Sequence, residues 1–478
     1  MQGKKEAFIY LATKIVMGIV GVFSITVQTT YVEPGVLGNF SLITGFTGVL
    51  LSLFVGWVSS SSMRYYDYYK EKNEKGFFTT IHVDWGIMLL LVLFLTAISS
   101  LLLKTIPIKE NLLLVLILIV FASGVDIYEK MMRAAGHGYA YSILLIIQSV
   151  LNIGLIIVFF RFTTMKIEAL FVAKIIISAI FVFVAFGMLK IPKKISVKTY
   201  SGEMNKIFWT YGFPMVGVWG VSWLLNYGDR YIINAFMTSH EVGLYDVSYR
   251  FAESSIGLII SAFNLAFFPH MIKCWNEKGK EGVCQMVRGV LNYLFMFSIP
   301  AVVGISLLSN QFYGTIIDVQ YKDAAIVIVI SSVGFIFMGV NGTLYKMWQL
   351  EEKTKAVLYL TIFSVALNLT TNIIFIPRFG YVAAAATTVV SYVVVTILTA
   401  VLLRKRFSIS LDMKQLVKQI VSSLVMGGFI FAVRGRVDSV VELVLTILGA
   451  VILYFIMLIL LGGLKAEILA IFHKDRKR

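Results

Sequence analysis

Charged side chains are scarce in this sequence. Only 14% of its 478 residues are Asp, Glu, Lys or Arg, where soluble domains carry about 25%. So few charges cannot clothe a soluble protein of this size in a water-facing surface. Acids are the scarcer sign, 26 against 42 basic residues, which leaves a formal net charge of +16. Cysteine is nearly absent. Cys274 and Cys284 flank a charged loop without metal-ligand spacing, and five scattered histidines add no such pattern. Gly279-Lys280 lacks the upstream glycine and the following Ser/Thr of a nucleotide-binding loop. Gly-x-Ser-x-Gly, His-Glu-x-x-His and Cys-x-x-Cys are all missing. These absences point away from ATP hydrolysis, from a bound metal and from covalent catalysis. The expectation is a protein that is not an enzyme and needs no cofactor.

Long apolar runs are what the sequence has. Hydrophobic residues make up 58% of it, and the mean hydropathy is +0.85. A membrane-spanning helix takes about 20 mostly apolar residues. That rule marks fourteen spans: 8–32, 37–60, 82–103, 111–132, 139–160, 167–189, 207–228, 242–268, 289–309, 324–347, 355–376, 381–403, 415–434 and 440–462. The span from 207 is the weakest, since Asp229 and Arg230 near its end leave it free to run longer or break. The opening apolar stretch outlasts a signal peptide and has no small-residue cleavage site after it, so it reads as a retained first helix.

An even number of spans puts both termini on one side. With the termini in the cytoplasm, about 30 basic residues fall on that side and about 9 outside. The net charge therefore reads as membrane topology, not as a nucleic-acid footprint. All connections are short; the longest, near 62–80 and 190–206, are cytoplasmic. A polymerase or glycan ligase acting at the outer face would need a sizeable outer loop, and there is none.

Two stretches repeat at similar offsets. Leu37-Gly38-Asn39-Phe40-Ser41-Leu42 opens the second span, and Val242-Gly243-Leu244-Tyr245-Asp246-Val247 opens the eighth. Leu151-Asn152 leads to Arg161-Phe162, as Leu367-Asn368 leads to Arg378-Phe379. Parallel six-helix halves explain both, and such halves around a central cavity are a transporter architecture. A plain bundle with coincidental turns is the alternative. The expected fold is all-α and integral to the membrane: a lobe over 1–200, a second over 201–410, and two further helices with a basic cytoplasmic tail over 411–478.

Charges inside spans are costly unless paired or wetted, and so mark function. On the eighth span Asp246, Arg250, Glu253, Gly257, Ser261 and Asn264 follow steps of three and four, which puts them on one face. That face reads as cavity lining, or as Arg250 neutralised by its two acids, or both. Asn226 and Arg230 share a face at the end of the seventh span, where Arg230 either meets an anion or snorkels to the interface. Lys14 has the same two readings near the cytoplasmic boundary. Lys174 in the sixth span lies deeper. Asn341 and Asn368 belong to polar stripes that suit either a lumen or interhelical hydrogen bonds. Basic residues beside amides and aromatics fit an anionic, partly polar, partly greasy cargo.

Several of these residues sit in recognisable motifs. Tyr211-Gly212-Phe213-Pro214, Asn226, Asp229-Arg230-Tyr231-Ile232-Ile233, Val242-Gly243-Leu244-Tyr245 and Tyr249-Arg250 resemble the midpoint signature of bacterial polysaccharide repeat-unit flippases. These belong to the multidrug/oligosaccharidyl-lipid/polysaccharide exporter superfamily. Asn368, Asn372 through Tyr381 and Ala383 through Thr387 resemble the family's turn between helices eleven and twelve, with Ala383 in place of a usual glycine. The early turn at Leu37–Leu42 matches as well. The topological match covers the whole chain and the motifs about a quarter of it.

The resemblance implies a MATE-like fold. It implies translocation of undecaprenyl-diphosphate-linked oligosaccharides across the bacterial cytoplasmic membrane by alternating access, driven by membrane potential or an ion gradient. The family's cationic cavity maps onto Arg250 and Arg230. Placement alone adds Lys14 and Lys174 for the diphosphate, and Asn226, Asn341 and Asn368 for the glycan. Asp246 or Glu253 would serve proton or sodium coupling. The implied partners are the lipid-linked substrate, membrane lipid and polysaccharide polymerase or assembly proteins, with no nucleic acid. A drug/cation antiporter of the same superfamily is the competing reading; it calls for unpaired carboxylates, whereas the acids here lie beside an arginine.

Overall fold

In the computed structural model, residues 2–103 and 105–464 are described, without the side chains of 2–12, 14, 15, 218, 262, 265 and 266. The chain is an all-α membrane protein. In lipid a backbone must satisfy its own hydrogen bonds, and helices do so within one segment. The chain runs α1 (Gln2–Tyr31), α2 (Pro34–Leu50), α3 (Gly56–Lys72), α4 (Glu74–Leu102), α5 (Leu112–Ala134), α6 (Gly138–Phe162), α7 (Ile167–Met188), α8 (Gly202–Phe236), α9 (Ser239–Ala252), α10 (Leu258–Thr315), α11 (Ala325–Leu350), α12 (Thr354–Phe379), α13 (Tyr381–Arg404), α14 (Met413–Val433) and α15 (Val440–Leu460). The long α10 breaks at Gly279, whose φ of 60° is left-handed.

Eleven helical stretches among the described residues are long and apolar enough to cross a membrane. α8 and α9 are not among them, and they carry the buried charges Asp229, Arg230 and Asp246. The helix α8 does not break. It runs 35 residues through Pro214, capped by the Ser201 side chain accepting from the Met204 N–H. Large apolar side chains such as Leu90, Phe94, Leu445 and Ile452 stand outward, as a lipid-facing surface requires.

The chain divides into two compact units, Met1–Asp246 and Val247–Arg478. In the first, α3 packs on α5 and α8, α5 on α7, and α1 on α6. In the second, α10 packs on α11 and α14, α13 on α11 and α12, and α14 on α15. One end of the second unit is pinned by Glu351, whose buried carboxylate meets Lys280 at 2.8 Å and both Lys353 and Arg406 at 3.1 Å.

Two glycines decide how α2 meets α9. A Cβ on Gly38 would lie 1.8 Å from the Ser239 carbonyl oxygen, and a Cβ on Gly243 would lie 1.8 Å from that of Pro34. The contact is reciprocal, and both pairs stand 205 positions apart in sequence. Past this crossing each helix passes into one π-helical turn, Leu51–Val55 after α2 and Glu253–Gly257 after α9. Such turns insert an extra residue and recur at functional sites.

Candidate functional site

The densest buried charge lies where α8 hands over to α9. Arg230 Nε donates to Asp246 Oδ1 at 2.6 Å, and Nη1 donates to the Asn226 carbonyl at 2.5 Å. Its guanidinium also lies 4.9 Å from the Tyr227 ring centroid. The neighbouring Asp229 accepts from the Tyr245 hydroxyl at 2.6 Å. Arg230, Asp229 and Asp246 are each only 3% exposed. Two acids and one base thus lock the end of α8 onto α9. Asp246 thus has an arginine partner from α8, 16 residues earlier.

The polar stripe read along the eighth span is not continuous. The π-helical turn at Glu253–Gly257 adds a residue, so steps of three and four no longer keep one face across it. Ahead of the turn Asp246 is buried, and Arg250 half-buried; at the turn Glu253 is exposed. Lys174 on α7 is half-buried, with its ammonium 5.8 Å from the Phe40 ring centroid. Asn226 exposes its side chain, whose amide donates to the Ser222 carbonyl. Asn341 accepts from Thr399 at 3.1 Å, a bond from α13 to α11. Asn368 is 1% exposed; it donates to Thr388 at 3.0 Å and accepts from Asn372 at 3.2 Å. Both amides thus join helices, the second of the two roles open to them. The Lys14 side chain lies outside the described residues.

Two groups escaped the sequence reading. Lys346 was counted with the cytoplasmic basics, yet it is half-buried on α11 and its ammonium donates to the Asn264 side-chain oxygen at 2.8 Å. Asp84 falls within the 82–103 span, and it is 2% exposed. Periodicity within a single helix cannot reveal either. The second unit also holds an apolar cavity of about 430 Å³, lined by Phe251, Met296, Pro300, Ile430, Ala450 and Tyr454 among others.

The family described as polysaccharide biosynthesis protein matches residues 30–326, more than half of the chain. The chain belongs to that family. It is 26% identical over 284 residues to the probable low-salt glycan biosynthesis flippase Agl15 of Haloferax volcanii, covering 58% of this chain and 59% of that protein. It is 25% identical over 237 residues to an uncharacterized membrane protein of Methanocaldococcus jannaschii, covering 46% and 45%. The chain thus spans about half the length of the curated relatives it matches. Among solved structures, the lipid II flippase MurJ in an inward closed conformation aligns at a TM-score of 0.74 and 16% identity, covering 99% of both chains. An inward-facing MATE family multidrug transporter of the MOP superfamily aligns at 0.67 and 16% identity, covering 84% of this chain and 98% of that one. This member of the polysaccharide biosynthesis family therefore has a MurJ- and MATE-like fold.

Proposed function

We propose that the chain is a flippase that carries undecaprenyl-diphosphate-linked oligosaccharide repeat units across the cytoplasmic membrane by alternating access. The observation that carries this reading is Arg250, a half-buried guanidinium on α9, one turn beyond the Arg230–Asp246 lock. It stands in a chain of the polysaccharide biosynthesis family with a flippase among its relatives. A guanidinium suits a diphosphate because its planar fork matches two phosphate oxygens at once. Lys174 and Lys14 stay candidates for the diphosphate by their sequence placement alone, and exposed Asn226 offers an amide to sugar hydroxyls. Arg230 holds the helix junction that positions Arg250. The apolar cavity of the second unit suits hydrocarbon. The charge count supports both termini in the cytoplasm, and a polymerase would take the flipped units.

Arg250→Ala tests the assignment in a strain that depends on this chain for its surface polysaccharide. The loss of one charge-assisted hydrogen bond, about 1.5–3 kcal/mol, lowers output about tenfold or more. Lipid-linked repeat units accumulate unexported. Normal polymer at normal expression overturns the role of Arg250. Drug resistance without any glycan phenotype would instead favour the cation antiporter reading.

A further inference from the structure

Asp84 sits about 15 Å along α4 from its start at Glu74, by helical rise. The charge count assigns that end to the cytoplasm. The carboxyl is 2% exposed. Asn205 Nδ2 on α8 donates to Oδ1 at 2.6 Å. Oδ2 is buried and has no hydrogen-bond partner among the described residues.

The charged and titratable groups around it are engaged or turned to solvent. From α5, Lys130 is held by Asp126 at 3.0 Å and by Ser59, and Arg133 by Glu129. From the segment ahead of α8, Lys194 is held by Glu74 at 2.9 Å, while Lys198 is exposed. Tyr200, also exposed, lies close enough to feel the Asp84 charge. Glu203 and Lys206 flank Asn205 on α8 and are exposed, as are Arg64 and Asp67 on α3. On its own helix His82 is spent on the Phe78 carbonyl and the Tyr128 hydroxyl. An ionised Asp84 would therefore be a buried charge with one neutral donor, which is strongly unfavourable. Its place beside the first turn of α8 offsets only part of that through the helix dipole. The neutral acid is the form this arrangement fits.

A second observation places hydroxyls beside this carboxyl's helix. One helical turn before Asp84, Thr80 Oγ1 accepts from the Ser201 N–H at 3.1 Å; Ser201 lies one turn before Asn205. These are consecutive rungs between the same two segments. Beside them the Thr79 and Thr199 hydroxyls are 2.9 Å apart, and Thr199 reaches the Lys75 carbonyl in an exposed bond. Three hydroxyls, on Thr80, Thr79 and Thr199, thus lie in the stretch between the buried carboxyl and the start of α4.

We infer that Asp84 is the proton-binding group of the transport cycle, with Asn205 as its reporter on α8. This rests on the transport reading above. In one state the carboxylate takes a proton from water onto Oδ2 and closes as the neutral acid against Asn205. In the other, the α4–α8 rung opens to water, the proton leaves, and the carboxylate is hydrated. No bond other than O–H forms or breaks.

Two readouts on the full chain in lipid test this. In infrared spectra of empty nanodisc samples at neutral pH, the wild type shows a carboxylic-acid C=O stretch, lowered by the Asn205 hydrogen bond, that Asp84→Asn lacks. In proteoliposomes with a trapped pH dye and lipid-linked oligosaccharide, wild-type flipping moves protons and changes about tenfold over its titration limb. Asp84→Asn, isosteric with the neutral acid, moves none and has a flat pH profile, yet binds the oligosaccharide as tightly as wild type. Asp84→Glu restores the pH dependence. A wild-type pH profile and proton movement in Asp84→Asn overturn the inference, as does an infrared band unchanged by the substitution. A wild-type chain that flips no oligosaccharide while the band still tracks Asp84 overturns the flippase reading and leaves the protonated carboxyl standing.

Discussion

Pro34–Val55 and Ser239–Gly257 share a glycine crossing and a π-helical turn but differ in chemistry. Each starts at a tight crossing, Gly38 in one and Gly243 in the other, and each ends in a π-helical turn. With the glycines in register, Phe40 stands where Tyr245 does, Ser41 where Asp246 does, and Gly45 where Arg250 does. The first turn is Leu-Ser-Leu-Phe-Val; the second is Glu-Ser-Ser-Ile-Gly. A close approach by the Tyr231 hydroxyl fills the space at Gly45, where a Cβ would lie 2.9 Å away. The repeat therefore sets backbone geometry, and the departures from the repeat place the charges. Shape is held in common, and the proposed cargo chemistry sits in one copy.

Substitutions at matched positions can break this comparison. The largest gap is expected at the Asp246/Ser41 pair. Asp246→Ala strands Arg230 in the interior and costs about 3–5 kcal/mol, whereas Ser41→Ala costs about 1 kcal/mol or less. Thermal unfolding of the purified variants reads both, and equal losses would contradict the asymmetry. The glycine pair should behave alike instead. Gly38→Ala and Gly243→Ala each press a methyl into a main-chain carbonyl, an overpacking of about 1–3 kcal/mol or more. If one is tolerated and the other is not, the crossing is not reciprocal.

The smallest effect concerns how the two helices begin. Pro34 opens α2 at a position that needs no N–H. Glu241 instead receives the Thr238 hydroxyl and N–H ahead of α9. Burial pushes the Glu241 carboxyl up, but these bonds outweigh it and leave it below the usual range. A depressed carboxyl stabilises above its unfolded value, about 4.3, and loses that contribution as pH falls through the folded value. Glu241→Gln should cost about 1 kcal/mol at neutral pH, and the gap in melting temperature should close in acid. A gap that persists in acid would remove the charge from the explanation.

Much of the fold was legible because a membrane helix announces itself through length and apolarity alone. The repeat was legible too, since Gly38 and Gly243 are needed wherever two backbones nearly touch. The α8–α9 lock was not. Spacing along one helix pairs Asp246 with Arg250, while the arginine seen bonded to it arrives from the preceding helix. The π-helical turn at Glu253 has no sequence signal and shifts every later residue off the stripe read through it. Asn341 and Asn368 left two roles open because an amide that lines a cavity and one that joins helices have the same spacing. Asp84 escaped because its burial comes from α8, far away in sequence.

The most direct measurement is flipping of a fluorescent undecaprenyl-diphosphate oligosaccharide in proteoliposomes, read by quenching from outside, for wild type and Arg250→Ala. Wild type should expose the lipid well above protein-free liposomes, and Arg250→Ala, at equal protein per liposome, should fall to about a tenth of that rate or less. Wild-type exposure no faster than in empty liposomes would contradict it.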